Sequence, residues 1–326
     1  MMMSPQNRAG PAIAFVLAAI LAISVNDMLI KQLSGGYPLH ELVFVRSAIG
    51  ILFSLVLVQI EGGWQILKTD RPALHLLRGA LVVMSNMTFF VALAAIPLAD
   101  ATALFFAAPL FITLLSIPIL GEKVGVLRLG AVTVGFVGVI IMQRPWAGSE
   151  ALGASRLVLL LPVFAALTYA LNQLMTRKLG VKSKASALSV YIQSTFIVVS
   201  LGFFLVAGDG RFVDETSSPS LQFLLRAWVW PAAGDVWVFV GLGMNAAVVG
   251  YCLSAAYRMA DAATVAPFEY VGLPLAVMWG LVIFGDLPAW EVWIGIALIL
   301  GSGLFVFLRE RRKARVPVSR PAERRY

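Results

Sequence analysis

Hydrophobic residues run along this chain in ten blocks separated by polar stretches. Each block has roughly 18–24 residues, the length a helix needs to cross ~30 Å of hydrocarbon, and a lone span in lipid satisfies its backbone only as a helix. The blocks lie near 12–32, 42–60, 74–95, 98–120, 125–142, 156–177, 186–207, 236–257, 261–284 and 290–308. The sequence therefore predicts an all-α integral membrane protein with ten transmembrane helices.

The composition narrows the class of function. Hydrophobic residues make up 60% of the 326 residues and charged residues 13%, unlike the balance of a soluble domain. One cysteine and two histidines offer neither an intrachain disulfide nor a metal-ligand spacing, and we find no Walker-type glycine-rich loop for ATP. We expect no cofactor. We interpret the formal net charge of +8 as a topology signal and expect no nucleic-acid partner.

Basic residues are divided unequally between the connections. With the N-terminus inside, 19 of the 25 lysines and arginines fall in inner segments, 5 in outer segments, and Arg46 within a span. The positive-inside rule then predicts that both termini are cytoplasmic, with a basic tail over 309–326. The long outer connection 208–235 contains Trp228-Val229-Trp230, whose indoles are expected at headgroup level.

The two halves of the chain look like copies of each other. The segment Val25-Asn26-Asp27-Met28-Leu29-Ile30-Lys31 aligns with 171–177 at a constant offset, so that Asn172, Gln173 and Arg177 correspond to Asn26, Asp27 and Lys31. Further matches pair 43–47 with 190–194, 98–101 with 259–262, and Gly121-Glu122 with Gly285-Asp286. Because five spans are an odd number, the second half must insert upside down. The expected units are inverted five-helix repeats at 12–142 and 156–308, a design found in many secondary transporters.

The repeats and two local motifs together resemble a known superfamily. The motifs are Leu120-Gly121-Glu122, before a glycine-rich fifth span, and Ala266-Pro267-Phe268-Glu269-Tyr270 in the ninth. Over about residues 12–308 the chain resembles the ten-helix EamA-like branch of the drug/metabolite transporter superfamily. Asp27, Lys31, Gly36-Tyr37-Pro38, Glu41 and Arg46 look most similar to a bacterial branch of riboflavin and S-adenosylmethionine importers and metabolite exporters. The resemblance implies a multi-pass inner-membrane carrier of small organic solutes that works by alternating access.

Polar side chains within spans are the candidate solute-binding or coupling residues, because lipid tolerates them poorly. Asp27, Lys31 and Arg46 are predicted at similar depth near the outer side. In the functional interpretation, Arg46 or Lys31 holds an anionic or polar group of the solute, and Asp27 balances the charge or takes a proton. The alternative is a closed ion pair, Asp27 with Arg46 or Lys31, that only joins two helices. By inversion, Asn172, Gln173 and Arg177 line a mainly neutral inner half.

Glu269 is the candidate proton-coupling or cation-binding carboxylate, because it lies deep in a span between Pro267 and Pro274. A structural ion pair with Arg258 is the alternative. Asn26, Asn86, Gln193 and Asn245 are expected to hydrogen-bond a solute or to join helices. Tyr251 and Tyr270, with Tyr191, Phe89 and Phe106, are expected to stack on a flat solute or to pack against lipid and core.

Other features are assigned structural roles. Asp100 and Asp261 are expected to cap helix N-termini. Seven glycines are expected to allow close helix packing: Gly121, Gly130, Gly135, Gly138, Gly295, Gly301 and Gly303. A homodimer through the last span of each half is a further hypothesis.

A secondary transporter of a small organic metabolite is the favoured function. Uptake of a riboflavin-type or similar aromatic or nucleoside-like solute, with proton coupling, is set against export of amino acids or related metabolites. A lipid-modifying enzyme would need paired acids or a nucleophile with its base at the membrane surface, and a channel would need a ring of repeated polar groups. The sequence favours neither.

Overall fold

A computed structural model of the chain describes residues 9–69, 71–121, 124–147, 154–179, 184–259 and 268–315. Within those ranges the chain is helical and contains no strand. The helices are α1 (Ala9–Leu33), α2 (Leu39–Glu61), α3 (Pro72–Leu93), α4 (Leu98–Phe105), α5 (Ala108–Leu120), α6 (Val126–Gln143), α7 (Arg156–Leu179), α8 (Ala185–Ala207), α9 (Pro219–Leu225), α10 (Val236–Met259), α11 (Gly272–Trp279) and α12 (Trp290–Arg315). A 3₁₀ turn occupies Trp64–Leu67, and a π-helical turn, Gly280–Phe284, extends α11.

Nine segments of the described ranges are long and apolar enough to cross a membrane. They coincide with nine of the predicted blocks, α4 and α5 together forming one of them, so a multi-pass membrane protein is confirmed. The remaining block, predicted at 261–284, is described only from residue 268, and its apolar helix covers Gly272–Phe284. Asp261, Ala266 and Pro267 lie outside the described residues. Ten spans therefore stay a prediction.

Two spans are broken by a proline partway along their length. The carbonyl of Phe105, the last residue of α4, would bond to the N–H of residue 109 in a continuous helix, but Pro109 has no N–H. Pro274 likewise leaves the Tyr270 carbonyl without its usual donor, and that carbonyl accepts from Leu273 N at 3.1 Å instead. Interrupted helices inside a membrane are tolerated where they line a cavity or pack on protein. Each of the two breaks is therefore expected either to pack on protein or to line a cavity.

Helices α6 and α12 pack together at their glycines. A Cβ atom on Gly138 would lie 3.0 Å from the carbonyl oxygen of Gly295, and one on Gly295 would lie 3.0 Å from that of Gly138. Close packing is also required at Gly135, against Ser302 and Leu110. The predicted packing role is thus confirmed for these glycines. It is wrong for Gly121, Gly130 and Gly301, where an added Cβ would have no atom within 4 Å. These contacts lie within one chain, and a homodimer stays a prediction.

Six other helices, α1, α2, α3, α7, α8 and α10, pack mainly in three pairs. Helix α1 packs on α10, α3 on α7 and α2 on α8; α10 also touches α2, and α3 also touches α8. The largest cluster of buried apolar residues lies among these helices. Apolar side chains such as Ile60 and Leu205, 75% and 79% exposed, face outward, as expected for surfaces that meet lipid.

Polar contacts gather the helix ends into two opposite faces. On the face that we call the Tyr37 face, Arg226 donates to the Gly35 carbonyl at 2.6 Å, and Arg144 pairs with Glu291 at 3.4 Å. On the other, the Glu61 face, Lys184 donates to the carbonyl of Glu61, the last residue of α2. Helix α2 therefore begins near the Tyr37 face and ends at the Glu61 face, as expected of a helix that crosses the membrane.

The expected headgroup position of the 208–235 tryptophans stays a prediction: Trp228 is partly buried, with its ring 5.5 Å from that of Phe44 and 5.0 Å from that of Phe204, and Trp230 is 88% exposed. One local expectation is wrong. Asp100 is not a helix cap. Pro97 occupies the N-cap of α4, and Asp100 lies in the first turn, where its charge still favours the helix dipole.

Candidate functional site

Asn26 connects the two charged residues predicted near the outer side. Arg46 Nη1 donates to Asn26 Oδ1 at 3.2 Å, and Asn26 Nδ2 donates to Asp27 Oδ1 at 3.0 Å. Arg46 and Asn26 are 6% and 7% exposed. The link between Arg46 and Asp27 therefore runs through a neutral amide, and the directly bonded ion pair that was the alternative is replaced by a bridged one.

Two aromatic rings flank the Arg46 guanidinium. Its carbon lies 5.4 Å from the centroid of Phe90 on α3 and 5.1 Å from that of Phe196 on α8. Faces of aromatic rings attract cations, most strongly away from water. Arg46 Nε is buried and has no hydrogen-bond partner among the described residues. The rings thus stabilise a cation that keeps one N–H group available for an acceptor.

Lys31 does not join this group. Its ammonium donates to the carbonyls of Leu93 at 3.0 Å and Ile96 at 2.7 Å, at the C-terminal end of α3, and lies 5.2 Å from the Phe284 ring centroid. A closed Asp27–Lys31 pair is therefore not formed. The helical spacing of four residues placed both on one side of α1, but the Lys31 side chain extends towards the end of α3, away from Asp27.

A row of aromatic rings leads away from Arg46. Phe90 lies 5.9 Å from Phe89, Phe89 lies 5.4 Å from Phe105, and Phe105 lies 5.5 Å from Tyr169, all as centroid distances. Tyr169 Oη accepts a hydrogen bond from Gln173 Nε2 at 2.9 Å. Its rings lie on α3, at the end of α4 and on α7. The row thus connects the Arg46 group with Gln173, a residue of the predicted inner half-site.

Glu269 lies at the Tyr169 end of this row, next to the second helix break. Its carboxylate acts electrostatically on the hydroxyls of Tyr169 and Tyr270. The Tyr270 ring lies 5.4 Å from that of Phe106, so the two broken spans meet through these rings. The side chains of Arg258 and Arg177 lie outside the described part of the structure. The pairing of Glu269 with Arg258 and the role of Arg177 therefore stay predictions.

Several predicted site residues lie apart from the row. Asn245 Nδ2 donates to the Ala22 carbonyl at 2.6 Å and so joins α10 to α1, while Asn86 Nδ2 donates to Val82 in its own helix. Tyr251 is 37% exposed, with its ring 6.2 Å from that of Phe15. Gln193 is buried over Gly50, where a built Cβ would lie 2.6 Å from Gln193 Nε2, and Asn172 is buried in α7.

Sequence reasoning missed four aromatic residues of the group. Phe90, Phe105, Tyr169 and Phe196 were not singled out, because one aromatic in an apolar span looks like any other. Two pairs of adjacent aromatic residues, Phe89-Phe90 and Phe105-Phe106, were a possible signal in the sequence. The second pair lies just before Pro109, where a helix break is expected.

Known proteins similar to this chain are transporters. The EamA-like transporter family matches residues 10–144. A riboflavin transporter of Rhizobium johnstonii is 32% identical over 315 residues, covering 96% of each chain. An S-adenosylmethionine uptake transporter of Rickettsia prowazekii is 26% identical over 92% of this chain and 93% of its own. A pseudopaline exporter of Pseudomonas aeruginosa is 28% identical over 84% of this chain and 88% of its own.

A solved crystal structure has the same fold. Its TM-score to this chain is 0.62 at 19% sequence identity, with coverage of 93% of this chain and 99% of the other. At that identity the likeness concerns the fold alone. The identity to the riboflavin transporter over nearly the whole chain decides the family. The chain therefore belongs to the EamA-like transporter family of the drug/metabolite transporter superfamily, and it is a multi-pass membrane transporter of small metabolites.

Proposed function

We propose that this transporter takes up a flat aromatic metabolite of the riboflavin type by alternating access. The observation that carries the proposal is the row of rings from Phe90 to Tyr169, with Arg46 at one end and Gln173 and Glu269 at the other. Aromatic faces bind a flat ring system at spacings of 4.5–7 Å, and the polar ends match a solute with hydrogen-bonding edges. The similarity to a riboflavin transporter points to the same class.

Alternating access rests on two inverted repeats at 12–142 and 156–308, and the packing supports that division. Exchanging the halves turns the contact of α1 with α10 into that of α7 with α3, and it leaves the pairs α2 with α8 and α6 with α12 unchanged. Gly121 and Gly285, which end matched spans, have nearly equal positive φ angles of 70° and 69°. In this arrangement the Tyr37 face is periplasmic, the Glu61 face and both termini are cytoplasmic, and ten spans cross the inner membrane.

Within the cycle we assign roles to the predicted site residues. Arg46, held by Asn26, offers Nε to a carbonyl or anionic group of the solute, and Asp27 balances its charge. Glu269 exchanges a proton with the cytoplasmic side and couples uptake to the proton gradient. Gln173 and Tyr270 orient the solute at the inner end, while Gln193 and Asn245 hold the helices around it. Asn86, which donates to Val82 of its own helix, is given no role in the cycle.

The test is transport by purified protein in proteoliposomes. Vesicles would be loaded and challenged with flavins, adenosyl compounds and amino acids, with and without an imposed pH gradient. We expect riboflavin counterflow, stimulated by an inward proton gradient. Binding at 100-fold the dissociation constant should also stabilise the folded protein by ~2.7 kcal/mol in a thermal-shift assay. Absence of flavin counterflow together with movement of another solute would overturn the substrate class.

Export of a polar metabolite is the second candidate, because an exporter is among the similar proteins. Inverted vesicles that accumulate amino-acid-like solutes and not flavins would favour it.

A further inference from the structure

Lys31, near the end of α1, contacts the end of α3 and the π-helical turn at the Tyr37 face. Besides its bonds to Leu93 and Ile96, the Lys31 ammonium faces the carboxylates of Asp100, on α4, and Asp286, after the π-helical turn. The Phe284 ring of that turn lies 5.2 Å away. Lys31 thus connects the first half of the chain with the end of α11.

The element opposite Lys31 is suited to movement. The turn Gly280–Phe284 is π-helical, and Asp286 N bonds to the Gly280 carbonyl at 2.9 Å. Turns of this kind are rare, less stable than α-helix and frequent at functional sites. The Phe284 ring that lies over the Lys31 ammonium therefore sits on an element that can shift more easily than a regular helix, while the hydrogen bonds of Lys31 go to the end of α3.

A surface groove lies at this contact. It is lined by residues of the end of α1, the end of α3 and the π-helical turn: Lys31, Gln32, Ser34, Gly35, Leu93, Ala94, Ile283 and Phe284. Two turns deeper on the same side of α1, about 10 Å further in by helix geometry, Ser24 is 6% exposed and accepts a hydrogen bond from Trp279 Nε1. Lys31 therefore separates an open groove from a closed interior.

We propose that Lys31 is the latch of the outer gate: its bonds to the Leu93 and Ile96 carbonyls keep the groove closed to the interior, and solute entry requires them to break. This inference rests on the proposed alternating-access function. It assigns Lys31 to gating rather than to holding the solute at Arg46. The ligand that the groove admits is a solute with a carbonyl or anionic edge, because such a group can replace the backbone carbonyls at the ammonium.

The experiment measures how fast an impermeant maleimide reaches a thiol beneath the latch. The background is Cys252→Ser, which removes the single native cysteine, and the reporter is Ser24→Cys, a near-isosteric change. Labelling is followed in right-side-out and inverted membrane vesicles without solute. We expect Lys31→Met to raise labelling from the Tyr37 face about tenfold or more, because two charge-assisted hydrogen bonds are lost. Lys31→Arg, which still donates to carbonyls, should stay within about threefold of the parent.

Lys184 offers a matched control. It also donates to the last carbonyl of another helix, that of Glu61, but on the opposite face. Lys184→Met should leave labelling from the Tyr37 face unchanged. If Lys31→Met does not reach the membrane, Phe284→Leu, which removes only the aromatic face, should raise labelling about twofold to fivefold.

Labelling of Lys31→Met and Phe284→Leu at the parent rate would overturn the latch, whatever the transport result. An equal increase with Lys184→Met would also overturn it, since the effect would then be general loosening. Failure of the proposed function appears separately, as missing counterflow in vesicles that contain the unaltered protein.

Discussion

Arg46 and Asp27 are joined through Asn26, which accepts from the guanidinium at 3.2 Å and donates to the carboxylate at 3.0 Å. A bridge through an amide differs from an ion pair in one respect that matters for transport. It holds the guanidinium and the carboxylate near each other, but the two groups do not bond directly to each other. The Arg46 Nε atom, unbonded within the described part of the structure, is the group that this arrangement leaves for a solute.

Replacing Asn26 tests the bridge. In Asn26→Ala the buried guanidinium loses its hydrogen bond, and we expect a loss of ~1.5–3 kcal/mol in unfolding free energy, the range for hydrogen bonds to charged groups. Transport should fall as well. Thermal melting in detergent and counterflow in vesicles measure the two effects. Asn86→Ala is the control, since Asn86 bonds only within α3; equal losses in both variants would speak against a special role for Asn26.

Phe105 tests the row of rings. Phe105→Leu keeps an apolar side chain but removes the ring between Phe89 and Tyr169. Aromatic pairs contribute ~0.5–1.5 kcal/mol beyond their buried area, so the apparent KM for a flat solute should rise about two- to tenfold. Phe111→Leu removes a ring of another pair, with Phe136, and should leave KM unchanged. A rise for Phe111→Leu alone would place the solute elsewhere.

Glu269 should govern coupling. We expect Glu269→Gln to keep solute binding, measured by thermal shift, and to abolish the stimulation of uptake by a pH gradient, because the amide cannot carry a proton. Glu215→Gln, an exposed residue of the connection between α8 and α9, should retain the stimulation. Full stimulation in Glu269→Gln would remove this residue from the coupling step.

Gly138 should not accept a methyl group. In Gly138→Ala the new Cβ would lie 2.9 Å from Leu298 Cβ and 3.0 Å from the Gly295 carbonyl, and neither backbone-anchored atom can move aside easily. Overpacking of this kind costs ~1–3 kcal/mol. Gly130→Ala, on the same helix with open space around it, should be neutral or slightly stabilising. We expect Gly138→Ala to melt at a lower temperature than Gly130→Ala, and equal melting temperatures would contradict the close packing at Gly138.

Tyr37 gives a pH-dependent contribution to stability at the Tyr37 face. Its hydroxyl donates to Asp235 Oδ2 at 2.6 Å and accepts from Ala232 N at 2.9 Å. The bond to the Asp235 carboxylate raises the pKa of Tyr37 above its usual value of 10.0. The stabilisation is therefore complete below pH 10 and is lost as the pH rises through the raised pKa.

We expect Tyr37→Phe to melt at a lower temperature than the parent, by an amount that is constant from pH 6 to about pH 9 and decreases above pH 10. Melting curves across that range measure the difference. A gap that changes between pH 6 and 8 would indicate another titrating group.

The sequence by itself determined the membrane class, the positions of nine described spans and the family, because lipid imposes a length and a polarity on each helix that can be read without any partner. It also named Asn26, Asp27, Arg46, Gln173 and Glu269 as polar residues in apolar spans. Tertiary structure decided which of them meet. Lys31 turns to the end of α3, Asn26 comes between two charges, and Phe90, Phe105 and Tyr169 complete a row of rings with Phe89. Such contacts depend on how helices distant in sequence are packed, and hydrophobic periodicity carries no record of that packing.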